Sequence, residues 1–172
     1  MIRELLSISM LFIALPIFCL GQEVSSNEYD EMLKTLLKRD VPEIDVAIAS
    51  RELDDYIVLD AREKREYLIS HLPNARWVGY SNFDVSKIKD IDRSAKILVY
   101  CSVGARSENV TRKLVESKYK NVHNMYGGIF EWVNQGHPLV DDNGMETERI
   151  HAFEKMWVPW LTRGTKVLEA SE

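Results

Sequence analysis

The residues best suited to chemistry in this sequence are Cys101 and the loop that follows it, Ser102-Val103-Gly104-Ala105-Arg106-Ser107. An uninterrupted apolar run at 97–100 precedes the cysteine and is typical of a buried strand. Val110 and Leu114 then recur at helical spacing in a polar background, which predicts a helix. Backbone N–H groups of such a loop and of the first helical turn are free to bind an anion. They would favour the thiolate of Cys101, the form in which cysteine is a nucleophile.

Individual residues of the loop indicate how it is shaped. Gly104 supplies the backbone freedom for a tight turn, and the hydroxyl of Ser107 is a candidate helix cap. The N–H groups of residues 102–106 would stabilise negative charge on the sulfur. Two tasks are open to the Arg106 guanidinium: it can face the loop and fix its shape, or face outward and meet an anionic donor. We favour the first, because a residue at the start of a helix points along the loop.

The pattern Cys-x-x-Gly-x-Arg-Ser after an apolar strand resembles the active-site loop of single-domain rhodaneses, which are sulfurtransferases. Three further stretches resemble the same family in the same order. They are Asp60-Ala61-Arg62-Glu63 with Glu66-Tyr67, then His71-Leu72-Pro73-Asn74-Ala75, and last Gly127-Gly128-Ile129-Phe130-Glu131-Trp132 with Gly136-His137-Pro138-Leu139. Together the four motifs cover roughly residues 42–140. Ser70 and Asn74 depart from the pattern, since the family usually has glycines there.

The resemblance implies an α/β fold with a rhodanese-like, five-stranded parallel sheet, helices on both faces and the cysteine loop at the carboxyl edge. It also implies sulfur transfer through a persulfide on Cys101. The donor would be a small sulfur anion such as thiosulfate or polysulfide, and the acceptor a small-molecule or protein thiol, or cyanide. Asp60 and Arg62 would support the site from a neighbouring strand end, by pairing with each other or with backbone groups. Glu66 would disfavour a dianionic donor such as thiosulfate. No metal or organic cofactor is required.

Two alternatives to sulfur transfer stay open. Cysteine phosphatases also place a cysteine and an arginine around an anion cradle, but with a loop one residue longer. The tighter loop between Cys101 and Arg106 suits a single sulfur atom better than a phosphoryl group. A non-catalytic rhodanese-like module that binds a partner or delivers a persulfide is the stronger alternative, although such modules typically lack the cysteine.

Apolar periodicity predicts strands that alternate with helices along the chain. Strands are expected at 41–44, 56–60, 75–78, 97–100 and 122–125, helices at 46–53, 62–70 and 129–133, and a short helix or loop at 83–89. That order is typical of a parallel sheet covered on both faces. An amphipathic helix is expected from Asn27 to about residue 38. Gly127 and Gly128 are expected to let the backbone pass close to another element.

The ends of the chain predict two extensions outside a rhodanese-like domain at 41–140. Residues 1–21 have the pattern of a secretory signal, with an apolar run at 5–20 and small residues before a new terminus at Gln22. Export to the periplasm is therefore expected, with no membrane attachment once the signal is removed. Anchoring through residues 5–20 is the alternative. Cleavage would remove Cys19 and leave Cys101 as the single cysteine.

The remaining parts of the chain carry weaker signals. Residues 22–40 are expected to form a leader and a helix. Within 141–172, aromatic residues recur at helical spacing, so this extension is expected to pack on the core.

The net charge of -5 without any basic face argues against nucleic acid as a partner. The four histidines are widely separated, and their spacing indicates no metal site.

Overall fold

The structure, a computed structural model that describes residues 24–168, is built round one parallel sheet. Its strands are β1 Glu43–Ile44, β2 Ile57–Asp60, β3 Arg76–Trp77, β4 Lys96–Tyr100 and β5 Asn121–Met125. They lie in the order β1-β5-β4-β2-β3 and pair in parallel. The predicted five-stranded parallel sheet is therefore confirmed, with β4 at its centre.

Helices lie on both sides of this sheet, as predicted. Within residues 24–168 the α-helices are α1 Asn27–Leu36, α2 Val46–Arg51, α3 Lys64–Ile69, α4 Ala105–Glu116 and α5 Gly128–Asn134. Short 3-10 helices lie at Leu53–Asp55, Val85–Ile88 and Lys155–Trp160. Side-chain oxygens fix the starts of two α-helices: Ser26 accepts the N–H of Tyr29 at 3.0 Å, and Asp45 accepts that of Ile48 at 2.9 Å.

Two apolar cores lie on opposite faces of the sheet, because alternate side chains of a strand point to opposite faces. Ile97 and Val99 of β4 belong to the core that α4 covers. Leu98 and Tyr100 belong to the core that α1, α2 and α5 cover. All four side chains are fully buried. Burial on both faces explains why this strand is a continuous apolar run in the sequence.

The C-terminal residues add two small sheets beside the main one. Strand β6 Leu139–Val140 pairs antiparallel with β7 Glu146–Thr147, and β8 Arg149–His151 pairs parallel with β9 Thr165–Val167. Ile150, Ala152 and Leu161 are buried in the same core as α1 and α5. The C-terminal segment is thus part of the packed structure as far as residue 168.

The aromatic stripe at Phe153, Trp157 and Trp160 does not form an α-helix, contrary to its helical spacing in the sequence. Residues 155–160 form a 3-10 helix that contains Pro159, and its six residues are exposed or partly exposed. Proline has no N–H to donate and disfavours an α-helical residue before it. The rings of Trp157 and Trp160 instead pack on the core from this 3-10 helix, and the ring of Phe153 lies against the Arg106 guanidinium.

The predicted secretory signal at 1–21 lies outside the described residues and stays a prediction, together with the alternative of an anchor at 5–20. Within residues 24–168, no helix is both long enough and apolar enough to cross a bilayer.

Candidate active site

Cys101 lies directly after β4, in the loop that leads into α4. The residue is only 1% exposed, and its Sγ accepts a hydrogen bond from the N–H of Gly104 at 3.2 Å. Helix α5 holds the same loop through the backbone: the N–H groups of Ile129 and Phe130 donate to the carbonyls of Cys101 and Ser102, at 2.9 and 3.1 Å. The loop is therefore held at the sulfur and at the main chain.

Two glycines allow this arrangement. Gly104 has a φ of 111°, a conformation that other residues rarely adopt, and it directs its N–H at the sulfur. Gly128 has a φ of 59°, and a Cβ there would lie 2.5 Å from the Cys101 carbonyl oxygen and 2.6 Å from that of Ser102. The close approach expected from the Gly127-Gly128 pair is confirmed at Gly128.

The Arg106 guanidinium faces the loop, which is the first of the two orientations considered from the sequence. It forms a bidentate ion pair with Glu66, with Nη1 2.6 Å from Oε2 and Nη2 2.8 Å from Oε1. Nη2 also donates to the Ser102 hydroxyl at 2.9 Å, and that hydroxyl donates to Glu66 Oε1 at 3.1 Å. A closed network of three side chains thus ties the loop to α3.

Glu66 stays ionised in this network although it is fully buried. Burial raises the pKa of its carboxyl, but the hydrogen bonds and positive charge of Arg106 outweigh that effect and lower the pKa to about 2. The carboxylate also accepts the backbone N–H of Glu63 at 2.9 Å, which helps to begin α3. The positive charge of Arg106 is therefore neutralised by the fixed carboxylate of Glu66.

Asp60 and Arg62 form a second ion pair at the end of β2, and both residues are fully buried. Arg62 Nη2 lies 2.6 Å from Asp60 Oδ2 and donates to the carbonyl of Ser70 at 2.7 Å. The hydroxyl of Tyr100 donates to Asp60 Oδ2 at 2.6 Å. Because Tyr100 immediately precedes Cys101, this pair supports the strand end from which the loop starts.

Ser107 does not cap the start of α4 as expected. The N-cap is Gly104, and the Ser107 hydroxyl donates to the Gly104 carbonyl at 3.0 Å instead of accepting an N–H group. The side-chain amide of Asn124 donates to the same carbonyl at 3.2 Å. The hydroxyl lies within the first turn of the helix, where it can reach only a carbonyl of the preceding turn.

Val103 and Ala105 complete the loop. Val103 is buried in the core that α1 covers, and Ala105 is the first residue of α4 and packs on the same core. Their side chains anchor the loop through apolar contacts.

Sequence reasoning missed three residues around the site. Glu66 was recognised as a charge but not as the partner of Arg106, which lies 40 positions later. Phe153 lies with its ring 4.6 Å from the Arg106 guanidinium carbon, in a cation–π contact. Tyr29 of α1 donates to the carbonyl of Gly127 at 2.8 Å. Only the position of Glu66 within a family-like motif gave a signal for any of them.

The low pKa of Glu66 predicts acid-sensitive stability. Its pKa is 4.5 without these partners and about 2 in the folded chain, so its stabilisation is present above pH 4.5 and is lost as the pH falls toward 2. Between about pH 6 and pH 3, the free energy of unfolding should fall by about 2 kcal/mol more in the wild type than in Glu66→Gln. Urea titrations at several pH values measure the difference, and parallel curves would contradict the prediction.

Comparison with known proteins finds relatives that match about half of this chain. The chain is 32% identical over 89 residues to a thiosulfate sulfurtransferase GlpE of Coxiella burnetii, a match that spans 52% of this chain and 81% of that protein. It is 32% identical over 93 residues to a tRNA uridine(34) hydroxylase of Cytophaga hutchinsonii, spanning 51% of this chain but only 30% of the hydroxylase.

A solved structure has the same fold. The polysulfide-sulfur transferase homodimer of Wolinella succinogenes matches with a TM-score of 0.53 and 21% identity, over 66% of this chain and 88% of that one. The Rhodanese-like domain family matches residues 44–135, which is more than half of the 172 residues. With the cysteine loop, the parallel sheet and this match in agreement, the chain belongs to the family of rhodanese-like domains.

Proposed function

We propose that the protein is a sulfurtransferase with Cys101 as its nucleophile. The observation that carries this proposal is the loop between β4 and α4, in which the Gly104 N–H donates to the Cys101 Sγ at 3.2 Å. A hydrogen bond of this kind stabilises negative charge on sulfur, and the remaining loop N–H groups lie in the same turn.

The proposed reaction has two steps. The Cys101 thiolate attacks the outer sulfur of a donor such as thiosulfate or polysulfide, so that an Sγ–S bond forms while the donor's S–S bond breaks. With thiosulfate, sulfite leaves with the electron pair of that bond. A thiolate acceptor or cyanide then attacks the terminal sulfur of the persulfide and returns Cys101 as the thiolate. No oxidant is consumed, because sulfane sulfur passes from one nucleophile to another.

The other site residues act on the loop. The N–H groups of Ser102, Val103, Gly104, Ala105 and Arg106 would stabilise the thiolate and the persulfide in turn. The Arg106 guanidinium, held by Glu66 and Ser102, fixes the shape of the loop. Asp60 and Arg62 hold the end of β4 through Tyr100, and Ser107 secures the first turn of α4.

Named relatives support sulfur transfer as the general chemistry. GlpE is named a thiosulfate sulfurtransferase and the Wolinella structure a polysulfide-sulfur transferase. The hydroxylase match spans less than a third of that protein. A region similar to this chain thus also occurs in a protein with another name. The family match alone therefore names neither the sulfur donor nor the acceptor of this chain. A non-catalytic module that binds a partner is the alternative.

The intact mass of the protein after incubation with thiosulfate or polysulfide tests the proposal. We expect a gain of one sulfur atom that a thiol reductant reverses and that Cys101→Ser does not show. A folded protein with a free Cys101 thiol that gains no sulfur from any donor would exclude sulfur transfer and favour the binding module.

Export is a proposal of its own. We infer from the pattern at residues 1–21 that a signal is removed before Gln22 and that the mature protein acts in the periplasm. The mass of protein recovered from an exporting cell tests this inference, because a chain that still begins at Met1 would contradict cleavage and favour the anchor at 5–20.

A further inference from the structure

Each guanidinium group that supports the active-site loop within residues 24–168 is paired with its own carboxylate. Arg106 meets Glu66 through two nitrogen–oxygen contacts of 2.6 and 2.8 Å. Arg62 meets Asp60 at 2.6 Å. Both carboxylates are fully buried, as is Arg62, while the Arg106 side chain is 15% exposed. The charges cancel in pairs, so neither guanidinium acts as a free positive charge toward an anion from solution.

Glu66 lies close to the nucleophile through direct contacts. Its Oε1 accepts the Ser102 hydroxyl at 3.1 Å, and Ser102 is the residue bonded to Cys101. Because the Cα atoms of two bonded residues are only about 3.8 Å apart, one side chain separates this carboxylate from the residue that bears the sulfur. Charges at such separation interact strongly in buried surroundings, where salt screens them little. The negative charge of Glu66 therefore acts on any anion that approaches Cys101.

Arg106 cannot readily leave Glu66 to hold a donor. Both of its terminal nitrogens are engaged, Nη1 with Glu66 and Nη2 with Glu66 and the Ser102 hydroxyl. The ring of Phe153 lies 4.6 Å from the guanidinium carbon. A donor that took Arg106 for itself would leave the Glu66 carboxylate buried without a partner, which is strongly unfavourable. The ion pair is therefore expected to stay intact when a donor binds.

The partial positive charge of the loop remains for an anion. Helix α4 has 12 residues and begins at this loop, so its dipole places roughly half a positive charge there. The Gly104 N–H donates to the Cys101 Sγ at 3.2 Å. These groups suit the single negative charge of a thiolate or a persulfide. In the described part of the chain, the contacts of the loop supply no cation that could balance the second charge of a dianion.

We propose that the Glu66–Arg106 pair makes the site selective for sulfane donors with one negative charge, and that thiosulfate, which has two, is a poor donor. The favoured class comprises the hydrodisulfide anion, alkyl persulfides and thiosulfonates. This inference rests on the proposed sulfur transfer and narrows it to one class of donor. Glu66 determines specificity through its charge, since its contacts are with the loop and with Arg106.

Two donors that differ by one charge test the proposal. Methanethiosulfonate has the outer sulfur of thiosulfate but a methyl group in place of one charged oxygen. Attack by the Cys101 thiolate gives the same persulfide from both donors, and the electron pair of the broken S–S bond leaves on methanesulfinate or on sulfite. Intact mass gives each loading rate, which is divided by the rate of that donor with 2-mercaptoethanol. On this scale, methanethiosulfonate should load the wild type at least about tenfold faster than thiosulfate.

Variants of Glu66 separate the effect of charge from that of shape. Glu66→Gln keeps the length of the side chain and removes its charge, so Arg106 becomes able to attract a dianion. The thiosulfate rate divided by the methanethiosulfonate rate should then rise at least about tenfold. Glu66→Asp keeps the charge and shortens the side chain. A distorted loop should slow both donors alike, so in Glu66→Asp this ratio should change less than about threefold.

Two results would overturn the proposed selectivity. One is a normalised rate in the wild type that is equal for the two donors or higher for thiosulfate. The other is a ratio that Glu66→Asp changes as much as Glu66→Gln does, since the geometry of the side chain and not its charge would then set the preference.

Alkylation of the full chain measures the charge at the sulfur without any sulfur transfer. Iodoacetate and iodoacetamide are similar in size and differ by one negative charge, and Cys19→Ser makes Cys101 the single thiol. Relative to 2-mercaptoethanol, iodoacetate should be slowed at least about fivefold more than iodoacetamide. Glu66→Gln should abolish this difference. Faster reaction with iodoacetate in the wild type would indicate an unpaired cation at the sulfur and overturn the proposal.

The two experiments distinguish failure of the selectivity from failure of the proposed function. If no donor loads sulfur on Cys101, the proposed function fails, whereas the order of the two alkylating reagents still decides the charge at the site. If Glu66→Gln does not fold, the order of the two donors and of the two reagents in the wild type decides the proposal.

Discussion

Replacing Asp60 with alanine is expected to lower the free energy of unfolding by about 3–5 kcal/mol, because the change leaves a buried positive charge without its partner. Arg62 and Asp60 are both fully buried, and their side chains meet at 2.6 Å. Asp60 also accepts the hydroxyl of Tyr100 and the backbone N–H of Arg62. Removal of the Asp60 side chain therefore breaks the ion pair and two further hydrogen bonds in a fully buried region.

The chain offers a matched control for this prediction in a surface ion pair of nearly the same length. Arg76 and Asp90 meet at 2.7 Å, with their side chains 41% and 61% exposed. Asp90→Ala should cost less than about 1 kcal/mol, since water solvates both charges once the pair is broken. Urea denaturation of the two variants at neutral pH measures both losses. Similar losses would show that burial does not set the strength of the Asp60 interaction.

Replacing Gly128 with alanine should damage both the stability of the chain and the proposed activity. The new Cβ would lie 2.5 Å from the Cys101 carbonyl oxygen, and the φ of 59° is unfavourable for alanine. Overpacking and backbone strain together should lower the free energy of unfolding by about 2–4 kcal/mol. Because the loop must move away from α5 to make room, the rate of sulfur loading on Cys101 should fall about 100-fold.

Gly144→Ala separates the two causes. Gly144 has a similar φ of 75°, but no atom lies within 4 Å of the position of its Cβ. This variant carries the backbone strain alone, so it should cost about 1–2 kcal/mol and leave sulfur loading unchanged. Denaturant titration and the intact-mass assay give the two readouts. If Gly128→Ala loads sulfur as fast as Gly144→Ala, the contact between α5 and the loop does not set the geometry of the site.

The features predicted correctly from the sequence have local causes. The apolar run at 97–100 became the central strand, because a strand buried on both faces has no polar positions. Gly128 was recognised because a pair of glycines before a helix indicates a close approach of backbones, and Cys101 was placed at a strand end by the change of period around it. Each of these signals lies within a few residues of the feature that it predicts.

The features that sequence reasoning missed depend on contacts between distant parts of the chain. Nothing near Glu66 shows that its carboxylate meets Arg106, since a lone glutamate in an amphipathic helix is usually a solvated charge. Phe153 was assigned to a helical stripe, but Pro159 and the pairing of β8 with β9 give this segment an irregular path that carries the ring to Arg106. Only the folded structure shows which side chains meet across the sheet edge.

The partners of α1 also determine when the N-terminal part of the chain can fold. The Tyr29 hydroxyl bonds to a carbonyl 98 positions later, at Gly127, and Ser25 bonds to Glu131, 106 positions later. Contacts at such separation form slowly, because the entropy of closing a long loop is lost before any contact compensates for it. During synthesis these contacts cannot form until Gly127 and Glu131 have left the ribosome. The N-terminal part of the chain therefore reaches its final position only after most of the chain has been made.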